Sequence, residues 1–165
     1  MLKQDIQNAT TEALKNKDSF TVDVLRMILA AISAKEKDKR YKLAQQKPEM
    51  SEEQLQKESA FSDQEVIDTL SSEVKKRRDA IVLYEQGKRP ELAEKEKKEI
   101  ELIQKYLPAQ LSPEELRKLV EESIAKVGAT EIKDTGKIMQ DLMPKVKGKA
   151  EGSEISKIIK ELLSK

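Results

Sequence analysis

The chain has 165 residues, and 32 Lys or Arg stand against 31 Asp or Glu, a formal net charge of +1. Hydrophobic residues make up 37% and aromatic residues 3%, with no Cys, His or Trp. Those absences exclude a Ser-His-Asp or Cys-His nucleophile, a zinc finger, a His-based metal site and a disulfide framework. The near-neutral balance argues against a global electrostatic attraction for nucleic acid and leaves room for a local basic patch. Length fits one domain or two small ones. Lys3, Asp5 and Glu12 interrupt the first residues, unlike the uncharged core of a secretory signal. The longest apolar run, Met27 to Ile32, is six residues, far short of the roughly 20 of a bilayer span. No membrane association and a cytoplasmic location are therefore expected, and the lack of Cys is compatible with a reducing compartment.

In chain order, Leu2, Ile6, Ala9, Ala13 and Leu14 recur at three- and four-residue intervals and predict a first amphipathic helix ending near Lys17. Ser19 or Thr21 can cap a second, whose stripe Val22, Leu25, Ile28, Leu29 and Ile32 is widened by Val24, Met27 and Ala31 and so suggests contacts on two sides. Beyond Lys35 this helix becomes strongly charged, and residues 45–60, with Pro48 and few apolar positions, read as a mobile loop or frayed helix. Ser62 and Glu65 form a capping-box pattern that starts a third helix along Val66, Leu70, Val74 and Ile81, with Gly87 as a left-handed stop. Pro90 opens a fourth, carrying Leu92, Ile100 and Ile103 and closed by Pro108. Ser112, Pro113 and Glu115 combine an N-cap, a Pro at the first helical position and a capping-box Glu before Leu116, Val120 and Ile124, with Gly128 as the stop. Asp134 or Thr135 opens a short helix with Ile138, Met139 and Leu142 that ends around Met143 and Pro144. Ser153 can cap a last one with Ile155, Ile159 and Leu162. No alternating strand pattern and no repeat occurs. The prediction is an all-α, multihelical fold: a longer N-terminal helical region over 1–107 and a small three-helix C-terminal region over 108–165.

The segment Tyr106-Leu107-Pro108-Ala109-Gln110-Leu111-Ser112 followed by Glu115, then Gly136-Lys137-Ile138-Met139, Met143 through Ala150 and Gly152, resembles the YqeY-like proteins of the GatB/YqeY family. Val24-Leu25-Arg26-Met27 and Lys76-Arg77-Arg78-Asp79-Ala80 are similar to its upstream pattern. The likeness covers nearly the whole chain, departing at 45–60. It implies a unit similar to the tail of the B subunit of glutamine-dependent tRNA amidotransferase, which helps hold tRNA while a separate domain does the chemistry. The implied partners are tRNA and an aminoacyl-tRNA or amidotransferase complex. A label of carbon–nitrogen ligase with glutamine as amide donor would come by descent. The residues themselves show no catalytic constellation, no P-loop and no other cofactor motif, so no catalytic residue, metal or cofactor is assigned.

Lys145-Val146-Lys147-Gly148-Lys149 is the sharpest candidate for contact with RNA. If extended, its lysines would point one way about 6 to 7 Å apart and could follow a phosphate backbone. Gly148 would let the main chain approach, and the nearby start of the last helix would offer N–H groups to an anion. Lys137, beside Gly136, could add a cation, although Gly136 reads better as a close-packing position. Lys75, Lys76, Arg77 and Arg78 fan around a helix, and Arg77, between Val74 and Ile81, is expected to pair with Glu96 or Glu99. The acidic clusters Glu94 to Glu101 and Glu121-Glu122 read as solvated helix faces. Met27, Met139 and Met143 read as core. The competing function is a helical protein-interaction adaptor using the Val22 to Ile32 stripe or the 45–60 segment.

Overall fold

A computed structural model describes residues 1–164. Among the described residues the chain forms eight α-helices and one 3-10 turn, with no strand, and it divides into two compact units, Met1–Tyr106 and Leu107–Lys165. The fold class is all-α.

The first unit holds α1 (Leu2–Lys15), α2 (Ser19–Gln46), α3 (Glu52–Ser59), α4 (Asp63–Gln86) and α5 (Pro90–Gln104). α2 touches all four others, which is why its apolar face is so wide: Val22, Val24, Leu25, Ile28 and Ile32 are all buried. Its cap is Asp18, not Ser19 or Thr21. The Asp18 carboxylate accepts from the Thr21 N–H at 3.0 Å and from its hydroxyl at 2.6 Å, and these bonds hold its pKa below the usual carboxylate value. A carboxylate is also the better partner for the positive end of a 28-residue helix.

The segment 45–60 is a mobile loop or frayed helix only in expectation: α2 runs to Gln46 and Glu52–Ser59 form α3. Ser51 and Gln54 form a reciprocal capping box that starts α3, and Leu55 and Ser59 bury its inner side on α2. Pro48 lies ahead of the helix, where it breaks nothing, and one well-placed Leu suffices where periodicity over two turns is too short to read. Gly87 takes φ −78 rather than the left-handed form; Lys88, at φ 55, makes the reversal instead. A Cβ on Gly87 would stand 3.2 Å from the Leu83 carbonyl oxygen, so the glycine serves a close approach. Met27 and Met143 are exposed, because they lie beside their stripes rather than on them, and Met139 is half-buried.

α4 and α5 form a helical hairpin with a buried ionic centre. Arg77, 7% exposed, donates through Nε to Glu99 Oε2 at 2.9 Å and through an Nη to the Glu73 carboxylate at 3.1 Å and carbonyl at 3.2 Å. Glu96 stands farther off, at 3.9 Å. One guanidinium therefore faces three carboxylates. Burial and then the neighbouring Glu99 push the Glu96 pKa up. At Glu73 burial also acts to raise it, but hydrogen bonds from Lys76 and Arg77 outweigh that and leave it lowered.

The second unit is built from α6 (Pro113–Val127), a 3-10 turn (Ile132–Asp134), α7 (Thr135–Val146) and α8 (Gly152–Leu163) around Leu116, Val120, Ile138, Leu142, Val146, Ile155 and Ile159. The Ser112–Glu115 capping box forms at the start of α6, and Gly128 ends the helix at φ 65. α7 continues through Pro144 to Val146. Pro144 sits in the last turn and deprives the helix of a single bond, to the Gln140 carbonyl. α8 begins at Gly152 after Glu151, with no side-chain cap, so Ser153 does not cap it.

Arg77→Ala would leave Glu99, itself 5% exposed, without its cation, and should destabilise the first unit by about 3–5 kcal/mol in urea unfolding. Glu96→Gln should do the opposite. Its raised pKa means that its charge opposes folding once pH rises past the unfolded value, so at pH 7 the variant should be at least as stable as the parent, and the difference should vanish at low pH.

Candidate nucleic-acid interface

The lysine segment does not run extended. Lys145 belongs to the last turn of α7, and Val146 to Lys149 make a tight turn in which the Lys149 N–H donates to the Val146 carbonyl at 2.8 Å. Lys147 has φ −59 and ψ 121, and Gly148 has φ 77. These are the central residues of a type II turn, whose third position requires the left-handed region and so selects glycine. Gly148 is therefore explained by the turn rather than by close approach of a ligand.

Two bonds fasten this turn from outside. The Gln110 side-chain amide donates to the Gly148 carbonyl at 2.8 Å and to the Pro108 carbonyl at 3.1 Å. The Leu111 N–H donates to the Lys149 carbonyl at 2.8 Å. Val146 is fully buried, and Ala150 packs on the same core. The alternation of Lys with Val and Ala thus has a packing reason: Val146 and Ala150 anchor the two ends, while Lys147 and Lys149 are exposed between them.

Behind the turn lies a carboxylate that the sequence reading passed over. Asp141 accepts from Lys145 at 2.9 Å, from the Lys126 ammonium and from the buried Ser123 hydroxyl at 3.0 Å. Hydrogen bonds from Lys126, then Lys145, hold its pKa far below the usual carboxylate range. It stays ionised through mild acid, so this bracing is lost only as pH falls well below the ordinary Asp value. Lys137 pairs with Asp134 at 2.9 Å, three residues back on the exposed side of α7. Gly136 is no packing contact, since a Cβ there would meet nothing within 4 Å. The start of α8 carries Glu151 and Glu154, which answer its positive end themselves and make it a poor anion site.

Residues 126–149 hold six lysines against three acids. The acids pair locally with exposed lysines. Arg77, Glu96 and Glu99 lie in the first unit as a buried ionic centre, not as part of this surface. No group of three or more Asp or Glu among the described residues is placed to hold a metal ion, and no helix is long and apolar enough to cross a membrane. Gln110 and Asp141 are the residues that the sequence reading missed. The signal for Asp141 is its i, i+4 relation to Lys145, which an extended reading of 145–149 does not bring out.

Gly148→Ala should destabilise the second unit by about 1–2 kcal/mol and speed hydrogen exchange at the Leu111 and Lys149 amides. Gly136→Ala, in open space on a helix, should instead stabilise by up to about 1 kcal/mol.

A family model described as Yqey-like protein matches residues 3–48 and 34–163, whereas no curated protein matches the chain. Together the matched stretches take in both units and the whole lysine turn with its Pro108–Leu111 brace. The chain belongs to the YqeY-like family.

Proposed function

We propose that the chain is a non-catalytic helical module that binds tRNA through the turn Lys145 to Lys149, acting beside a transamidation or aminoacylation complex in the cytoplasm. The observation that carries this reading is the mounting of the turn. A solvated loop kept for solubility needs no fixed backbone, yet here both ends are anchored in the core and two carbonyls are tied to the Pro108–Leu111 segment. A fixed backbone lets the lysines meet phosphates at a lower entropic cost. Lys147 and Lys149 reach solvent directly. Lys145 and Lys126, whose ammonium groups are held by Asp141, add charge beside them. The resemblance to the amidotransferase tail supports tRNA as the polyanion. The adaptor reading loses its main surface, because the Val22 to Ile32 stripe is covered by helices of its own unit and the 45–60 segment is folded onto α2.

Replacing Lys147 and Lys149 together with Ala should weaken tRNA binding, measured by filter retention over a salt series, and flatten the slope of log K against log salt by about 1.5 to 2. Lys145→Ala alone should change the slope by less. An unchanged slope in the double variant, with helicity preserved by circular dichroism, overturns the assignment.

A further inference from the structure

The lysine turn is not the only stretch of the chain with a surplus of positive charge. Residues 35–47, the second half of α2 and its C-cap, hold six cations against two acids, in a chain whose net charge is +1. Helix-dipole complementarity does not account for them, since the last turn of α2 contains no basic residue. One of the two acids, Glu36, is taken up internally by Lys3 at 2.6 Å and the Phe61 N–H at 3.1 Å.

The cations line two hollows on different sides of α2. A groove of about 460 Å³ is edged by Lys35, Lys39 and Lys42 with Asp38 and Glu65, over Phe61, and Glu65 pairs with Lys39 at 2.7 Å. A smaller one of about 280 Å³ is edged by Lys3, Lys37 and Arg40. Tyr41, 66% exposed, follows Arg40 and precedes Lys42, and Lys37 is one turn before it on the same side of the helix. Lys37 and Lys42 are exposed and form no ion pair among the described residues. An exposed aromatic ring among cations on a rigid helix is the combination that unpaired nucleotides use: the ring stacks a base, and the lysines take the flanking phosphates.

α3 borders the Lys37–Arg40 side of α2 and carries the opposite sign. Residues 49–58 hold four Glu and one Lys. Glu52 reaches the Arg40 guanidinium, and Glu58 reaches Lys47 at 3.4 Å. Glu52 is itself 81% exposed, and Leu55 supplies the helix's buried apolar contact. The acids of α3 are thus positioned as an internal substitute for phosphate along one edge of α2.

We propose that the second half of α2 is a binding face for unpaired RNA, separate from the lysine turn, with Tyr41 stacking a base between Lys37 and Lys42, and that the α3 carboxylates compete with the RNA for Arg40 and Lys47.

The test uses the full chain carrying Lys147→Ala and Lys149→Ala, so that the turn is silent, and a fluorescein-labelled 12-nucleotide single-stranded RNA followed by anisotropy. Salt-sensitive binding is expected to remain in this background. Adding Lys37→Ala and Lys42→Ala should weaken it at least fivefold and lower the salt slope by about 1.5. Tyr41→Ala should weaken it five- to tenfold with the slope unchanged, because stacking releases no counterions. Glu52→Gln with Glu58→Gln should tighten it at least threefold. These side chains are exposed or partly exposed at the surface, so the fold should survive each change, and circular dichroism checks that. Loss of all binding in the turn-silenced background, or indifference to both the lysine and the glutamate substitutions, overturns the proposal. Equal binding of duplex DNA with no effect of Tyr41→Ala overturns the assignment to unpaired RNA. Failure of the turn reading shows separately, as equal binding with and without Lys147 and Lys149.

Discussion

A single side-chain amide connects the two most distinctive stretches of the chain. Gln110, in the joint between Pro108 and Ser112, donates to the carbonyl of Gly148 and to that of Pro108, and the next residue's N–H takes the carbonyl of Lys149. Each bond is modest by itself. Their effect is geometric: they convert the five-residue link between α7 and α8 into a turn whose lysines have fixed positions. The capping box that follows at once, Ser112 with Glu115, fixes the direction in which α6 leaves that brace. Cap, brace and turn form one continuous polar structure along an edge of the second unit, and the apolar core beneath it includes both ends of the turn.

The first unit solves a different problem by a related means. Its α4–α5 hairpin buries a guanidinium against three carboxylates, a centre with more negative than positive charge. Such a centre contributes little net stability compared with apolar packing of the same volume, but it penalises any register of α4 against α5 that separates Arg77 from Glu99. Burial raises the pKa of Glu96, the most distant carboxylate, while the closer Glu73 is held ionised by its hydrogen bonds. Both units therefore use few, well-placed polar contacts to choose among arrangements that the apolar stripes alone would leave nearly equal.

Much of this was legible in the sequence. The helices that carry long stripes or full capping boxes could be placed because their signals repeat: Ser62 with Glu65, Ser112 with Glu115, and Gly128 at a true left-handed stop. α3 was not legible, because an eight-residue helix with one buried Leu has no period to detect, although Ser51 and Gln54 did spell its capping box. The lysine segment was found as a pattern but given the wrong backbone. Alternation of Lys with small or apolar residues looks like a strand edge, whereas the backbone angles of Lys147 and Gly148 and the Lys149 N–H bond to the Val146 carbonyl make it a turn, held from 38 residues away by Gln110. Arg77 is legible from its core spacing, whereas Glu73 is one of several acids within reach of it, and only the packing shows that the i, i+4 acid joins Glu99 at the guanidinium. The charge of α2 is visible too, but its meaning depends on α3, in a segment whose sequence reads as a mobile loop or frayed helix.

If the lysine turn is a preformed seat for tRNA, the ligand should protect that seat without reshaping what holds it. Hydrogen–deuterium exchange of the full chain with and without bulk tRNA tests this directly. Peptides spanning 145–151 should gain protection on addition of tRNA, while the core peptides of α6 and α8 exchange as before. Unchanged exchange at 145–151, with tRNA bound and protection appearing only elsewhere, would contradict the account.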